Sequence, residues 1–102
     1  MCGLAGIISS SSDIEIKSIT DLMSDELIRR GPDSNGKYFN STNFNNNLVS
    51  IAHRRLSIID LSEKGHQPMM SKSKRYIIAF NGEIYNFKSI KRKIDNVKNV
   101  IW

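Results

Sequence analysis

One cysteine, two prolines and one tryptophan among 102 residues exclude several classes of protein at the outset. With Cys2 alone there is no internal disulfide framework, and no metal-ligand spacing joins it to His53 or His66, so no metal site is expected. A reducing compartment suits such a chain. No apolar run approaches the length that crosses a bilayer. The stretch from Leu4 to Ile8 is too short, and too broken by Gly6, to be a secretory signal. The reading is a cytoplasmic protein with no membrane partner. Asn40-Ser41-Thr42 matches a glycosylation acceptor, which carries no weight without secretion.

What is present is an ordinary globular composition of one-domain length, with 39% apolar and 25% charged residues. The formal net charge of +5 comes largely from Lys88, Lys91, Arg92, Lys93 and Lys98, opposed locally only by Asp95. A basic run of this kind is either a solvated helix face or a surface for nucleic acid. No aromatic residues alternate with these charges as a stacking platform requires, so nucleic acid is not the expected partner.

Gly3 to Ser9 reads as a short buried strand running into a serine-rich loop. Ile16, Ile19, Leu22, Met23 and Leu27 recur at three- and four-residue spacing, which predicts a helix with one apolar face. Ser11, Ser12 or Asp13 would cap it. Gly31-Pro32 ends it, because proline cannot continue the hydrogen-bond ladder. Lys37 to Phe39 and Leu48 to His53 read as strands on either side of an asparagine-rich turn, the second covered on both faces. Leu56 to Met70 lacks a period and reads as an ordered loop, or as a short strand and turn. Tyr76 to Phe80 is a strong strand signal. Phe87, Ile90, Ile94, Val97 and Ile101 then recur at helical spacing. The expected class is α+β.

Cys2 becomes the terminal residue when Met1 is trimmed, and a small side chain at position 2 permits trimming. An α-amino group titrates about one unit above neutrality, so a useful fraction is unprotonated and can take the proton of its own side chain, a recognised way of activating a weak nucleophile. The alternative is a small buried apolar residue opening a strand. Asn81-Gly82 is a tight-turn signal of the hairpin kind, since both residues accept positive φ. The same pair also offers a side-chain amide and a backbone N–H, the composition of an oxyanion hole. Arg54 and Arg55 are either a surface pair or, at a strand end, a fork for a carboxylate. His53 reads as a structural, hydrogen-bonded residue. Arg29-Arg30-Gly31-Pro32-Asp33-Ser34 is turn chemistry, with Asp33 and Ser34 suited to local backbone bonds.

Taken in order, several of these segments resemble one family. Met1-Cys2-Gly3, Arg29 to Ser34, His53-Arg54-Arg55-Leu56-Ser57-Ile58-Ile59-Asp60, Gly65-His66-Gln67-Pro68-Met69 and Phe80-Asn81-Gly82-Glu83-Ile84-Tyr85-Asn86 are similar to the glutamine-hydrolysing asparagine synthetases. More broadly they resemble the class II glutamine amidotransferases of the N-terminal-nucleophile hydrolase superfamily. The likeness runs from residue 1 to about residue 90. It implies a partial N-terminal-nucleophile hydrolase fold of stacked antiparallel sheets between helices, incomplete at the C-terminus, with residues 1–102 forming the first part of the glutaminase domain.

The resemblance implies roles as well. Cys2 would be the catalytic thiol, and Asn81 and Gly82 the oxyanion hole. Arg55 would hold the α-carboxylate of glutamine, Glu83 would face its ammonium, and Leu56 and Ile58 would add backbone contacts. The full enzyme would pass ammonia to aspartate activated by ATP with magnesium, neither of which this stretch binds, and a homodimer is the accompanying expectation. The family's later Ser-Asp-Thr-Glu-like motif does not occur before Trp102. The expectation is therefore a partial sequence or truncated product, inactive alone. Two other readings stand beside it: a relative that aminates a sugar or secondary-metabolite acceptor, and a non-catalytic interaction module using the basic last helix.

Overall fold

Strand β1 (Gly3–Ser9) and strand β3 (Leu48–Arg55) lie antiparallel, with Ala5 opposite Ala52, and strand β2 (Ser34–Phe39) pairs antiparallel along the other edge of β3, with Lys37 opposite Ala52. The order β1-β3-β2 makes β3 the central strand. It is covered on both faces, as its mixed apolar sequence predicts, with Ala52 at 0% and His53 at 1% exposure on opposite sides. This computed structural model describes residues 2–10, 15–40, 47–57 and 62–98. The caps expected at Ser11 to Asp13 and most of the asparagine-rich turn lie outside those residues.

Helix α1 (Glu15–Glu26) packs on the face carrying Gly3, Ala5, Ser50 and Ala52. The face it buries differs from the one its apolar periodicity marks. Ile16, Thr20 and Ser24 are the buried residues, whereas Leu22 is 68% exposed and Ile19 and Met23 are also exposed. The cause is close approach: the sheet presents small side chains, and a small or hydroxyl-bearing helix face fits against them without voids. The hydroxyls carry their own bonds into this interface. Thr20 Oγ1 donates to the Ile16 carbonyl at 2.7 Å. Ser24 Oγ donates to Asn35 Oδ1 and accepts from Arg54 Nε, so the burial leaves neither hydroxyl unsatisfied. Leu27 closes the end of the layer over Gly3, where a Cβ would lie 3.2 Å from Leu27 Cδ1.

The opposite sheet face carries Leu4, Ile8, Tyr38, Val49, Ile51 and His53. Over it stands a two-stranded ladder of β4 (Met69–Met70) and β5 (Ile77–Ile78). An open cleft of about 470 Å³ separates Ile8, Val49 and Ile51 from Ile77 and Ile78. The strand predicted over Tyr76 to Phe80 is thus reduced to two ladder residues. The hairpin turn falls at Ser71–Tyr76, where Ser71 N–H donates to Tyr76 O and Lys74 N–H to Ser71 O, with Lys74 at φ 58°. The Gln67–Pro68 peptide is cis.

Helix α2 (Phe87–Asp95) forms over the first part of the predicted period, with Val97 in the turn beyond it and Ile101 outside the described residues, and it buries none of its residues. Ile84, Phe87, Ile90 and Ile94 instead line an open groove. The Cα radius of gyration, 15.5 Å, exceeds the roughly 13 Å of a compact 100-residue domain, in keeping with an outer helix none of whose residues is buried. The architecture is α+β, with two helices and antiparallel sheets among the described residues.

Candidate active site

Antiparallel pairing of Gly3 with Arg54 sets the position of Cys2. One residue before β1, Cys2 lies beside the end of β3, half-buried. Its Sγ accepts the Leu56 N–H at 3.4 Å and lies 3.9 Å from the Leu56 carbonyl, toward which the thiol donates. On the other flank, Asn81 Nδ2 donates to the Cys2 carbonyl at 2.9 Å. Asn81 and Leu56, 79 and 54 positions away in sequence, therefore meet at one residue, the first at its carbonyl and the second at its sulfur.

The hairpin reading of Asn81-Gly82 does not hold. No glycine among the described residues has positive φ, and Lys74 is the one non-glycine residue there that does, so the primed turn that this pair favours is not formed. Ala79 to Ile84 runs outside helix and strand. Gly82 lies against the ring of Phe80, two residues before it, where a Cβ would sit 2.9 Å from Phe80 Cζ. Glu83 follows at the surface.

Strand alternation separates the two arginines. Arg54 faces α1, donating from Nε to Ser24 O and Oγ, each at 3.1 Å, and from Nη2 to Asp25 Oδ1 at 3.0 Å. Arg55 lies on the opposite face, where Nη1 donates to the Ser62 carbonyl at 2.8 Å and the guanidinium packs on Gly65, leaving no room for a Cβ there. Residue type alone left the pair undivided, and the family resemblance singled out Arg55. The pleat puts Arg54 on the helix side as a brace and Arg55 on the cysteine's side of the strand end.

The Arg29 to Ser34 segment is more than a local turn. Asp33 N–H donates to the Arg55 carbonyl at 3.0 Å, and Asp33 Oδ2 accepts the Ser57 N–H at 2.7 Å. Asp33 thereby brackets Leu56, the residue whose backbone meets Cys2. Sequence reasoning saw Asp33 as turn-forming and missed this longer reach. Ile58 lies outside the described residues.

His53 is buried as a structural residue should be, but not hydrogen-bonded as expected. Neither ring nitrogen finds a partner among the described residues. Burial holds its pKa below the ordinary 6.5. The backbone of Phe80 is near enough to favour the charged ring, though not in bonding geometry, and the charges of His66 and Arg55 oppose it. Among the described residues no group of three or more His, Cys, Asp or Glu is placed to hold a metal ion. Nor is any helix there long and apolar enough to cross a membrane.

The arrangement is a thiol facing the Leu56 backbone N–H, with the Asn81 side-chain amide on the same residue's carbonyl and Arg55 immediately before Leu56. Such a set can attack an acyl carbon and stabilise the oxyanion that results. Comparison with known proteins points the same way. Residues 1–101 match the glutamine amidotransferase domain model. The chain is 35% identical over 96% of its length to asparagine synthetase [glutamine-hydrolyzing] 1 of Arabidopsis thaliana. It is 36% identical over 96% to the asparagine synthetase [glutamine-hydrolyzing] of Brassica oleracea, and 35% identical over 93% to asparagine synthetase [glutamine-hydrolyzing] 1 of Bacillus subtilis strain 168. It spans only 14% to 16% of the length of these relatives. No solved structure matches the chain. With a thiol at residue 2 and a family match across nearly all of its length, the chain belongs to the glutamine amidotransferase domain family.

Proposed function

We propose that this chain is the glutaminase part of a glutamine-dependent asparagine synthetase, with an N-terminal-nucleophile hydrolase fold and Cys2 as its nucleophile once Met1 is removed. The observation that carries the reading is the setting of the thiol, with Leu56 N–H at 3.4 Å from Sγ and Asn81 Nδ2 bound to the same residue's carbonyl. In the proposed reaction the Cys2 α-amine takes the thiol proton as sulfur attacks the side-chain carbonyl carbon of glutamine. The carbonyl π-electrons move to oxygen, where Gly82 N–H and the second amide hydrogen of Asn81 stabilise them. Collapse of this intermediate breaks the C–N bond, and the ammonium of Cys2 returns the proton to the leaving nitrogen, which departs as ammonia. Water, deprotonated by the same amine, adds to the thioester. A second collapse releases glutamate and restores the thiol.

Arg55 is the fork for the substrate α-carboxylate, and Glu83 the partner of its ammonium. Leu56 and Ile58 supply backbone contacts. Substrate displaces the Arg55 contact with Ser62 or shares the guanidinium with it, as a group of five N–H donors allows. ATP, magnesium, aspartate and dimer formation belong, in this proposal, to the rest of a longer cytoplasmic enzyme. No residue described here is assigned to them.

The test is glutamate release from glutamine by a longer protein that carries this chain at its N-terminus, and by its Cys2→Ala variant, with mass spectrometry of the N-terminus. Cys2-dependent release with Met1 absent is the expected result. Release that survives Cys2→Ala, or a retained Met1 in an active protein, sinks the mechanism.

A further inference from the structure

Ala79 to Ile84 carries the two proposed oxyanion donors but belongs to neither helix nor strand. No sheet ladder fixes it, so side chains must. One tether comes from within the site, Asn81 Nδ2 to the Cys2 carbonyl at 2.9 Å. A second comes from outside it. The amide N–H of Phe80, the residue immediately before Asn81, donates to Gln67 Oε1 at 2.6 Å.

Gln67 is itself seated on the sheet. Its backbone carbonyl lies so close over Gly36 of β2 that a Cβ at Gly36 would occupy the same space, and His66 Nε2 would lie 2.9 Å from that Cβ. Gly36 pairs with His53 in the central strand, on the face toward the cleft. A continuous path therefore runs from β3 through Gly36 to Gln67 and on to the Phe80 amide, one residue short of the donors. The acceptor must be the side-chain oxygen, because the partner is an N–H, which fixes the amide orientation of Gln67.

We propose that Gln67 is a positioning residue of the glutaminase site: seated on β2 through Gly36, its side-chain carbonyl holds the Phe80 amide and so sets the Asn81 and Gly82 donors against Cys2. The inference rests on the proposed glutaminase reading for its catalytic consequence, though not for the tether. Oxyanion donors act from about 2.7–3.1 Å, a window only about 0.4 Å wide, and a displacement of about 1 Å costs on the order of a hundredfold in rate. A loop without a ladder is where such a displacement arises most readily.

The experiment compares Gln67→Leu, which keeps the volume and removes the acceptor, with Gln67→Glu, which keeps an acceptor oxygen, in the full chain. Three quantities are read: kcat and KM for glutamine hydrolysis, the rate of Cys2 alkylation by iodoacetamide, and hydrogen–deuterium exchange at the Phe80 amide. In Gln67→Leu the expected result is faster exchange at Phe80 and a kcat lowered about 10- to 100-fold. Glutamine KM stays within about threefold, and alkylation is unchanged, since that reaction uses the thiol but no oxyanion hole. Gln67→Glu recovers the Phe80 protection and most of kcat. A purely structural role predicts instead that alkylation and KM move together with kcat and that Glu rescues nothing, which overturns the proposal. Unchanged exchange at Phe80 in Gln67→Leu overturns it as well. Exchange does not depend on turnover. If the wild-type protein hydrolyses no glutamine even in a longer form that carries this chain at its N-terminus, loss of Phe80 protection in Gln67→Leu still supports the tether, and it is the glutaminase reading that falls. Should Gln67→Leu not fold, Gln67→Asn, one methylene too short to reach, carries the same expectations.

Discussion

The Leu56 amide donates to the Cys2 sulfur across 3.4 Å, joining two residues 54 positions apart. This contact exists because β1 and β3 pair antiparallel in a register that places the residue before β1 beside the residue after β3. A shift of one residue would turn Arg55 to the α1 side and Arg54 to the cleft side. The contacts at Cys2 therefore depend on sheet register.

Arg55→Lys keeps the charge and loses the planar fork. On the proposed reading KM for glutamine rises about tenfold or more while kcat changes by less than about threefold. Steady-state glutaminase kinetics decide it, and an unchanged KM removes Arg55 from the carboxylate site.

Asp33→Ala deletes the acceptor of the Ser57 N–H at 2.7 Å. Loss of a hydrogen bond to a charged acceptor near the surface costs about 1 kcal/mol, a fall in melting temperature of about 4–8 °C for a domain of this size. Because Asp33 brackets Leu56, glutaminase activity should fall further than the stability loss accounts for. Thermal unfolding and kcat/KM measured on one preparation test both parts, and activity unchanged at a temperature where the variant is fully folded would refute the second.

Gly36→Ala places a methyl group in the space of the Gln67 carbonyl. The atom that must give way is backbone, so the overlap is relieved only by moving the 65–68 segment, at a cost of about 1–3 kcal/mol. Chemical denaturation measures it. A loss below about 0.5 kcal/mol would mean that Gln67 is not seated on β2.

His53 gives the fold a defined response to acid. Burial lowers its pKa below 6.5, with His66 and Arg55 acting in the same direction. The folded state therefore takes up this proton less readily than the unfolded chain. Its neutral form is favoured throughout at pH above 6.5, and as pH falls below 6.5 the unfolded state gains the proton first and stability declines, by at most about 1.4 kcal/mol per pH unit. Unfolding curves between pH 5 and 8 for the wild type and His53→Leu should differ in slope only on the acid side. Parallel curves would show that His53 is as easily protonated in the fold as outside it.

Where the residues repeat at a regular period, the elements could be read directly: β1, β3 and both helices fall where apolar spacing and β-branched runs place them. What failed were inferences that needed a neighbour. Leu22 and Met23 lie on the predicted apolar face of α1, but the sheet presents Gly3, Ala5 and Ala52, and the small Thr20 and Ser24 pack there instead. Asn81-Gly82 has the composition of a hairpin turn, but the hairpin closes at Ser71–Tyr76, and the pair runs past Cys2 held by side-chain tethers.

The sequence by itself determined the family and the candidate nucleophile: one thiol at residue 2, and ordered motifs whose residue types suit amide hydrolysis. Only the tertiary structure decided which arginine turns toward the cysteine's side of β3, which backbone amide meets the sulfur, and how Asp33 and Gln67 brace the loops around it. The physical reason is that residue type sets what a group can do within its own few ångströms. Which groups lie within that distance is set by strand register and by the closeness of packing between layers, and both depend on residues far apart in the chain.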